Sequence, residues 1–375
     1  MLRFLPAAVL ALSLLCTQSA FSESAARRMA PLMPRAAESL LLDIAAAGDR
    51  LIATGEYGHV LYSDNAGQHW QQARVPTTQM LTAVHFVNAT TGWAVGHDGL
   101  VLVSEDAGAN WRIQRDGLAV QHQLNIEQRE VAHRRLRALQ AQQRAAREQP
   151  DAAFEAALDD ARMDLEDAEL TLEEPVFTEP LLDVWFEDGN RGWAVGAFGT
   201  FIGTTDGGQH WSDHSERLDN PDEFHLNAII GDGEGQVFIA GEGGLMFRSG
   251  NSGATWESLE PFYDGSWFGL VFEPVSRALL VFGLRGNLFR SPDFGRSFER
   301  VPVDTHISLA GGGADKSGRV VITGGVGTVL YSAGGAGQFR RSMLEDGLSL
   351  SSGIPRNGSL VLVGQGGARV YEVQP

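Results

Sequence analysis

The sequence predicts an all-β chain, a seven-bladed β-propeller with an inserted antiparallel helical hairpin between blades 2 and 3. Three observations predict it. A glycine-led pattern ending in Trp or Phe recurs along the chain. Its spacing is that of a four-stranded blade. One spacing alone is stretched, by about 57 residues that read as helix.

The first element is an export signal, residues 1–22. Arg3 supplies a positive charge and Leu5 to Leu15 is almost wholly apolar, too short to cross a bilayer. Ala20-Phe21-Ser22 offers a cleavage site, so the expected product begins near Glu23 and is periplasmic or otherwise secreted. Cys16 is the sole cysteine and follows Leu15, where a lipoprotein would carry a small residue, so lipidation is not expected. No disulfide is expected either. No later stretch is long and apolar enough for a transmembrane span.

Residues 23–39 precede the first blade, and Arg28 to Ala37 is the expected closing strand of the ring. Two prolines there suit an edge strand.

Blades 1 and 2 occupy residues 40–117 and blades 3 to 7 residues 179–375. The copies read Gly55-EYGHVLYSDNAGQH-Trp70, Gly96-HDGLVLVSEDAGAN-Trp111, Gly196-AFGTFIGTTDGGQH-Trp211 and Gly241-EGGLMFRSGNSGAT-Trp256. Looser copies start at Gly283 and Gly324, and a truncated one at Gly364. Starts lie 41, 100, 45, 42, 41 and 40 residues apart. In blade 2 the expected strands are Leu81 to Val87, Gly92 to Gly96, Leu100 to Ser104 and Trp111 to Arg115. The Gly-x-x-Gly turn joins strands two and three. An S/T-x-D/N-x-G turn joins strands three and four, its acid or amide bonding nearby backbone amides. Those turns hold Ser63 and Asn65, Ser104 and Asp106, Thr204 and Asp206, Ser249 and Asn251, and Ser291 and Asp293. Trp70, Trp111, Trp211, Trp256 and Phe298 close them and are expected to pack between sheets.

The insertion, residues 118–178, reads as two helices, Leu124 to Gln149 and Asp151 to Glu174, broken at Pro150. Phe154, Leu158, Ala161, Leu165, Ala168 and Leu172 form a heptad seam, as do Ala132, Leu136, Leu139, Gln143 and Ala146. The first helix holds six Arg against three Glu, the second ten acids against one Arg. An arm of two such helices would be ~37 Å long. It is either a surface hairpin packed on itself or an arm that grasps a partner.

Thr91-Gly92-Trp93-Ala94-Val95-Gly96 and Arg191-Gly192-Trp193-Ala194-Val195-Gly196, with the turns that follow them, carry a resemblance. The chain resembles the photosystem II stability/assembly factor-like propellers, within the wider group with sialidase-type Asp-box (BNR) repeats. The resemblance covers roughly residues 40–375 apart from the insertion. It implies a non-catalytic scaffold, assembly factor or accessory subunit that holds a subunit of a membrane or envelope complex. For similar chains of heterotrophic bacteria it implies an RND-type transporter as partner.

Strand order places the turns between strands two and three on one face, with the connections between blades and the insertion. The partner-binding candidates on that face, ringing the channel mouth, are Glu56, Tyr57, His97, Asp98, Phe198, Glu242, Tyr263, Trp267, Arg285 and Gln365. The net charge of −18 disfavours nucleic acid, which is bound through displaced counterions. The competing expectation is a sialidase-like glycoside hydrolase or carbohydrate-binding propeller, using Tyr57 or Tyr263 with Arg285 nearby. No pair of placed carboxylates stands out, as glycoside hydrolysis needs. One carboxylate per Asp-box turn falls short of a calcium shell. No cofactor, metal or catalytic residue is therefore expected.

Overall fold

The computed structural model describes residues 28–146 and 151–373. The expected signal peptide with its cleavage site, Cys16 and Pro150 lie outside the described residues. Seven antiparallel sheets follow one another, and each begins with its innermost strand. Blade 2 runs Leu81–Phe86, Gly92–Gly96, Leu100–Ser104 and Arg112–Arg115, within a residue of expectation. The sheets of blades 1 to 6 have four strands and that of blade 7 has three.

The glycine that opens each repeat has a steric cause. It ends the second strand opposite the start of the innermost one, where the ladder slips by a residue. The carbonyl before the innermost strand lies directly over it. A Cβ on Gly55 would overlap the Leu40 oxygen, and one on Gly96 the Met80 oxygen. The same oxygen accepts the next N–H, from Glu56 at 3.1 Å and from His97 at 3.0 Å. Blades 3 to 7 repeat the bond through Ala197, Glu242, Leu284, Gly325 and Gln365. One backbone contact thus locks each inner hairpin, and only glycine permits it.

The Asp boxes also repeat a bonding scheme. Ser104 Oγ accepts the Gly108 N–H at 2.9 Å, while Asp106 accepts the Asn110 N–H at 2.9 Å. Ser63 and Asn65, Thr204 and Asp206, Ser249 and Asn251, and Ser291 and Asp293 serve the same amides in their blades. These turns are structural, because the oxygens are occupied by their own backbone. The closing aromatics reach into the blade junctions. Trp111, Trp211 and Trp256 meet Phe86, Phe186 and Phe201 edge-on at 6.0, 5.8 and 5.2 Å. Phe298 meets Phe238 at 6.1 Å. Each junction carries its own apolar cluster.

Ring closure departs from expectation. Residues 28–40 hold no strand, and no fourth strand pairs with Gly367–Glu372 among the described residues. Pro31 and Pro34 supply no N–H for a ladder. This segment first lies along blade 1, where Ala30 donates to the Val75 carbonyl and Met33 to Gln72 Oε1. It then packs on the last strand of blade 7, where the Ala37 carbonyl sits so close to Gly367 that a Cβ there would overlap it. Closure comes from side-chain packing: Leu41, Leu51 and Leu61 of blade 1 meet Val361 and Val363 of blade 7. Arg356 adds bonds to the Gly48 and Asp49 carbonyls.

Helix α1 spans Gly117–Ala145 and α2 Ala152–Glu173. α1 starts seven residues before the expected Leu124, because Asp116 caps it by accepting the Ala119 N–H. Asp151 caps α2 by accepting the Phe154 N–H at 2.8 Å. The seam holds Ala132, Leu158 and Ala161 buried, but Ala146 lies past the helix end and is exposed. Of the complementary charges, Arg135 and Asp164 pair between the helices. Arg129–Glu130 and Arg162–Asp159 pair within one helix.

Candidate functional site

In an antiparallel blade, the turn between strands two and three and the link to the next blade share one end. The arm leaves from that end. α1 begins against the Asp98 carbonyl and Gly99, so close that a Cβ on Gly117 would overlap the former. Arg115 and Thr178 border the same spot. The Asp-box turns occupy the opposite end.

Each turn between strands two and three holds two consecutive residues with a left-handed backbone, the second always glycine and the first variable. Tyr57 has φ 54°, Asp98 59°, Phe198 52°, Arg285 57° and Val326 54°. A residue with a Cβ gives up about 1–2 kcal/mol there relative to ordinary helical geometry. Blades 4 and 7 use Gly243 and Gly366. These turns therefore hold two large aromatics in an unfavourable conformation, and both face water: Tyr57 is 55% and Phe198 54% exposed. Phe198 packs edge-on to His225 at 4.9 Å, and its backbone N–H donates to His225 Nδ1 at 2.9 Å. Phe224, beside Gly243, extends this apolar surface.

His97, Arg285 and Gln365 are exposed at their turns. Asp98 is half-buried, accepts a bond from Gln79, and is held above the usual carboxylate range by desolvation. Glu56 accepts the Leu40 N–H at 3.0 Å, so it braces the turn it sits in. Glu242 lies near His225. Two expected mouth residues are not free. Trp267 is wholly buried, because it opens the innermost strand of blade 5 and packs on Tyr263 at 4.9 Å and Phe289 at 5.7 Å. The Tyr263 hydroxyl donates to the Leu284 carbonyl at 3.0 Å. A nucleophilic role for Tyr263 would have to break that bond. Among the described residues no group of three His, Cys, Asp or Glu could hold a metal ion.

Sequence reading missed two features. The first is the charged lining of the channel, a cavity of about 270 Å³ bounded by the innermost strands of all seven blades. Asp43 and Asp183 project there. Asp43 accepts the Val84 N–H at 3.0 Å and Asp183 the Ile229 N–H at 2.8 Å, each tying its strand to the next blade. Desolvation raises both, Asp183 to about 8, with the Asp43 charge adding to that rise. Half-buried His85, bonded to the Phe186 carbonyl, is lowered to about 4 by desolvation. Asp43 and Asp183 occupy the same place in LLDIAAA and LLDVWF, which was the available signal. The second is a cup of about 880 Å³ on the Asp-box face, between the first turns of blades 1, 2, 6 and 7. Lys316, the sole lysine of the chain, stands exposed on its rim. Arg319 is paired there with Asp315.

Fold and site together define a seven-bladed Asp-box propeller with an aromatic-tipped face and a helical arm rising beside it. The family model described as "Photosynthesis system II assembly factor YCF48" matches residues 47–135 and 165–262, running into the arm from either side. The match and the repeats it spans fit a photosystem II assembly factor-like propeller. It is 37% identical over 128 residues to the photosystem II assembly lipoprotein Ycf48 of Synechococcus sp. (strain CC9902). That match covers 33% of this chain and 37% of the relative, so it spans little more than a third of that protein. Among solved structures, "YCF48 bound to D1 peptide" aligns over 90% of this chain and 95% of its own, with a TM-score of 0.59 and 14% identity. YCF48 from Cyanidioschyzon merolae aligns over 92% and 98%, with a TM-score of 0.58 and 14% identity. At such identity these two establish the fold alone.

Proposed function

We propose that this chain is an exported, non-catalytic propeller that holds a polypeptide of a membrane protein complex at its aromatic-tipped face, as assembly factor, scaffold or accessory subunit. One observation carries the reading. Tyr57 and Phe198 sit exposed at positions whose backbone favours glycine, so folding alone does not select large aromatics there. Exposed aromatics on rigid turns supply contact area at little cost in side-chain entropy. The solved YCF48 bound to a D1 peptide supports a polypeptide ligand for this fold. In a host without photosystem II, an RND-type transporter is the partner we place first. Export of the chain belongs to the same proposal, through the apolar run near its start.

The test is co-purification of the tagged protein from solubilised envelopes of its native host, read by quantitative mass spectrometry. The wild-type chain enriches a membrane protein, and Tyr57→Ser/Phe198→Ser lowers that enrichment roughly tenfold. Equal enrichment by both would remove the face from the account. Turnover of sialosides or other glycosides that Tyr57→Phe abolishes would replace holding with hydrolysis.

A further inference from the structure

α2 carries two rows of apolar side chains. The inner row, with Leu158 and Ala161 buried, packs on α1. A second row, Ala156, Met163 and Leu170, repeats at intervals of seven residues, which places the three on one line of the helix. This line lies away from the seam: Met163 is 55% and Leu170 51% exposed. Apart from Asp159, its acidic neighbours one turn away are Asp160, Glu166, Asp167, Glu173 and Glu174. Among the described residues none of these five enters an ion pair, since Arg135 is taken by Asp164 and Arg162 by Asp159.

We propose that this outer face of α2 docks a basic amphipathic helix of the partner, as the third helix of a coiled coil whose first two are α1 and α2. A helix that serves only its own hairpin needs one apolar stripe and leaves the rest polar. The second stripe fills one of the two core positions of each heptad and has acids at the other, so it is matched by a helix that sets an apolar residue against the first and lysine or arginine against the second. The stripe from Ala156 to Leu170 rises ~21 Å, enough for four turns of a partner helix. The five unpaired carboxylates set the sign of that helix. They repel anionic lipid and the α2 of a second copy, and they attract lysine and arginine beside an apolar seam. The inference rests on the partner-holding reading and adds the segment that the arm would grip.

The probe is a fluorescent three-heptad peptide with Leu at positions a and d and Lys elsewhere, titrated with the purified protein by anisotropy. Two variants attack the face: Met163→Ser/Leu170→Ser, and Asp160→Asn/Glu166→Gln/Asp167→Asn. A third, Glu299→Gln/Asp304→Asn/Glu345→Gln, removes equal charge elsewhere. We expect each face variant to weaken binding roughly tenfold, and the distant variant less than about twofold. Far-ultraviolet circular dichroism confirms that the helices persist in each. Equal weakening by the face and distant acid variants would mean diffuse attraction to a chain of net charge −18, and would overturn the proposal. So would absence of binding, or binding indifferent to Met163 and Leu170. Such a result beside a co-purification that still depends on Tyr57 and Phe198 would remove the arm and leave the mouth standing.

Discussion

Replacing Asp183 with asparagine tests how the channel carries its buried charge. The carboxyl is pushed from an ordinary 3.8 to about 8 by desolvation, with the Asp43 charge adding to the rise. An acid raised in the folded state keeps its proton there after the unfolded chain has lost it. Stability therefore falls as pH climbs from about 4 to about 8. Each pKa unit is worth about 1.4 kcal/mol. The whole shift would approach ~6 kcal/mol, but Asp183 is partly open to the channel, whose water shares the charge. We expect a loss on the order of 2 kcal/mol. Asparagine keeps an oxygen that can accept the Ile229 N–H and carries no charge. Asp183→Asn should therefore match the wild-type chain near pH 4 and exceed it by about 2 kcal/mol near pH 8. The assay is urea unfolding across that range, read as the difference between the two proteins. The difference is needed because His85, lowered to about 4, has the opposite effect: its stability contribution rises between about 4 and 6.5. Parallel curves, or a variant weaker at pH 8, would refute the reasoning.

Other expectations follow from the same contacts. Ser104→Ala strips the acceptor from the buried Gly108 N–H and should lower unfolding stability by about 2 kcal/mol in urea titration. Gly58→Ala meets both a φ of +69° and the Thr77 carbonyl, and should lower stability by about 3 kcal/mol by the same assay. Replacing residues 118–177 with a short Gly-Ser linker should leave the β circular dichroism and the urea midpoint of the ring nearly unchanged, because the two helices bury their seam on each other.

What was legible was what the backbone dictates repeatedly. Gly55, Gly96 and their counterparts stand where a carbonyl crosses the strand, so the repeat in the letters mirrors a repeated contact. Ser104 and Asp106 likewise serve fixed amides in a turn of fixed length. Features made once were hidden. Blade 7 closes on blade 1 through Val361 and Val363, which look like any strand residues, so the letters alone predict a shared strand. Trp267 was placed at the mouth because it ends a long connection, yet its side chain turns into the blade junction. The cup around Lys316 is built from first turns of four blades, which share no motif. Asp43 and Asp183 sit in a strand whose other copies carry Ala, Gly or Ser, so neighbouring copies did not point to them.

The central claim is that the aromatic-tipped face, and not the Asp-box face, holds the partner. Photo-crosslinking in living cells tests it most directly, with a photoreactive side chain placed at position 57, at 198, or at 296 beside an Asp box. The account predicts adducts to a membrane protein from 57 and 198, and none from 296. Adducts from 296 alone would contradict it.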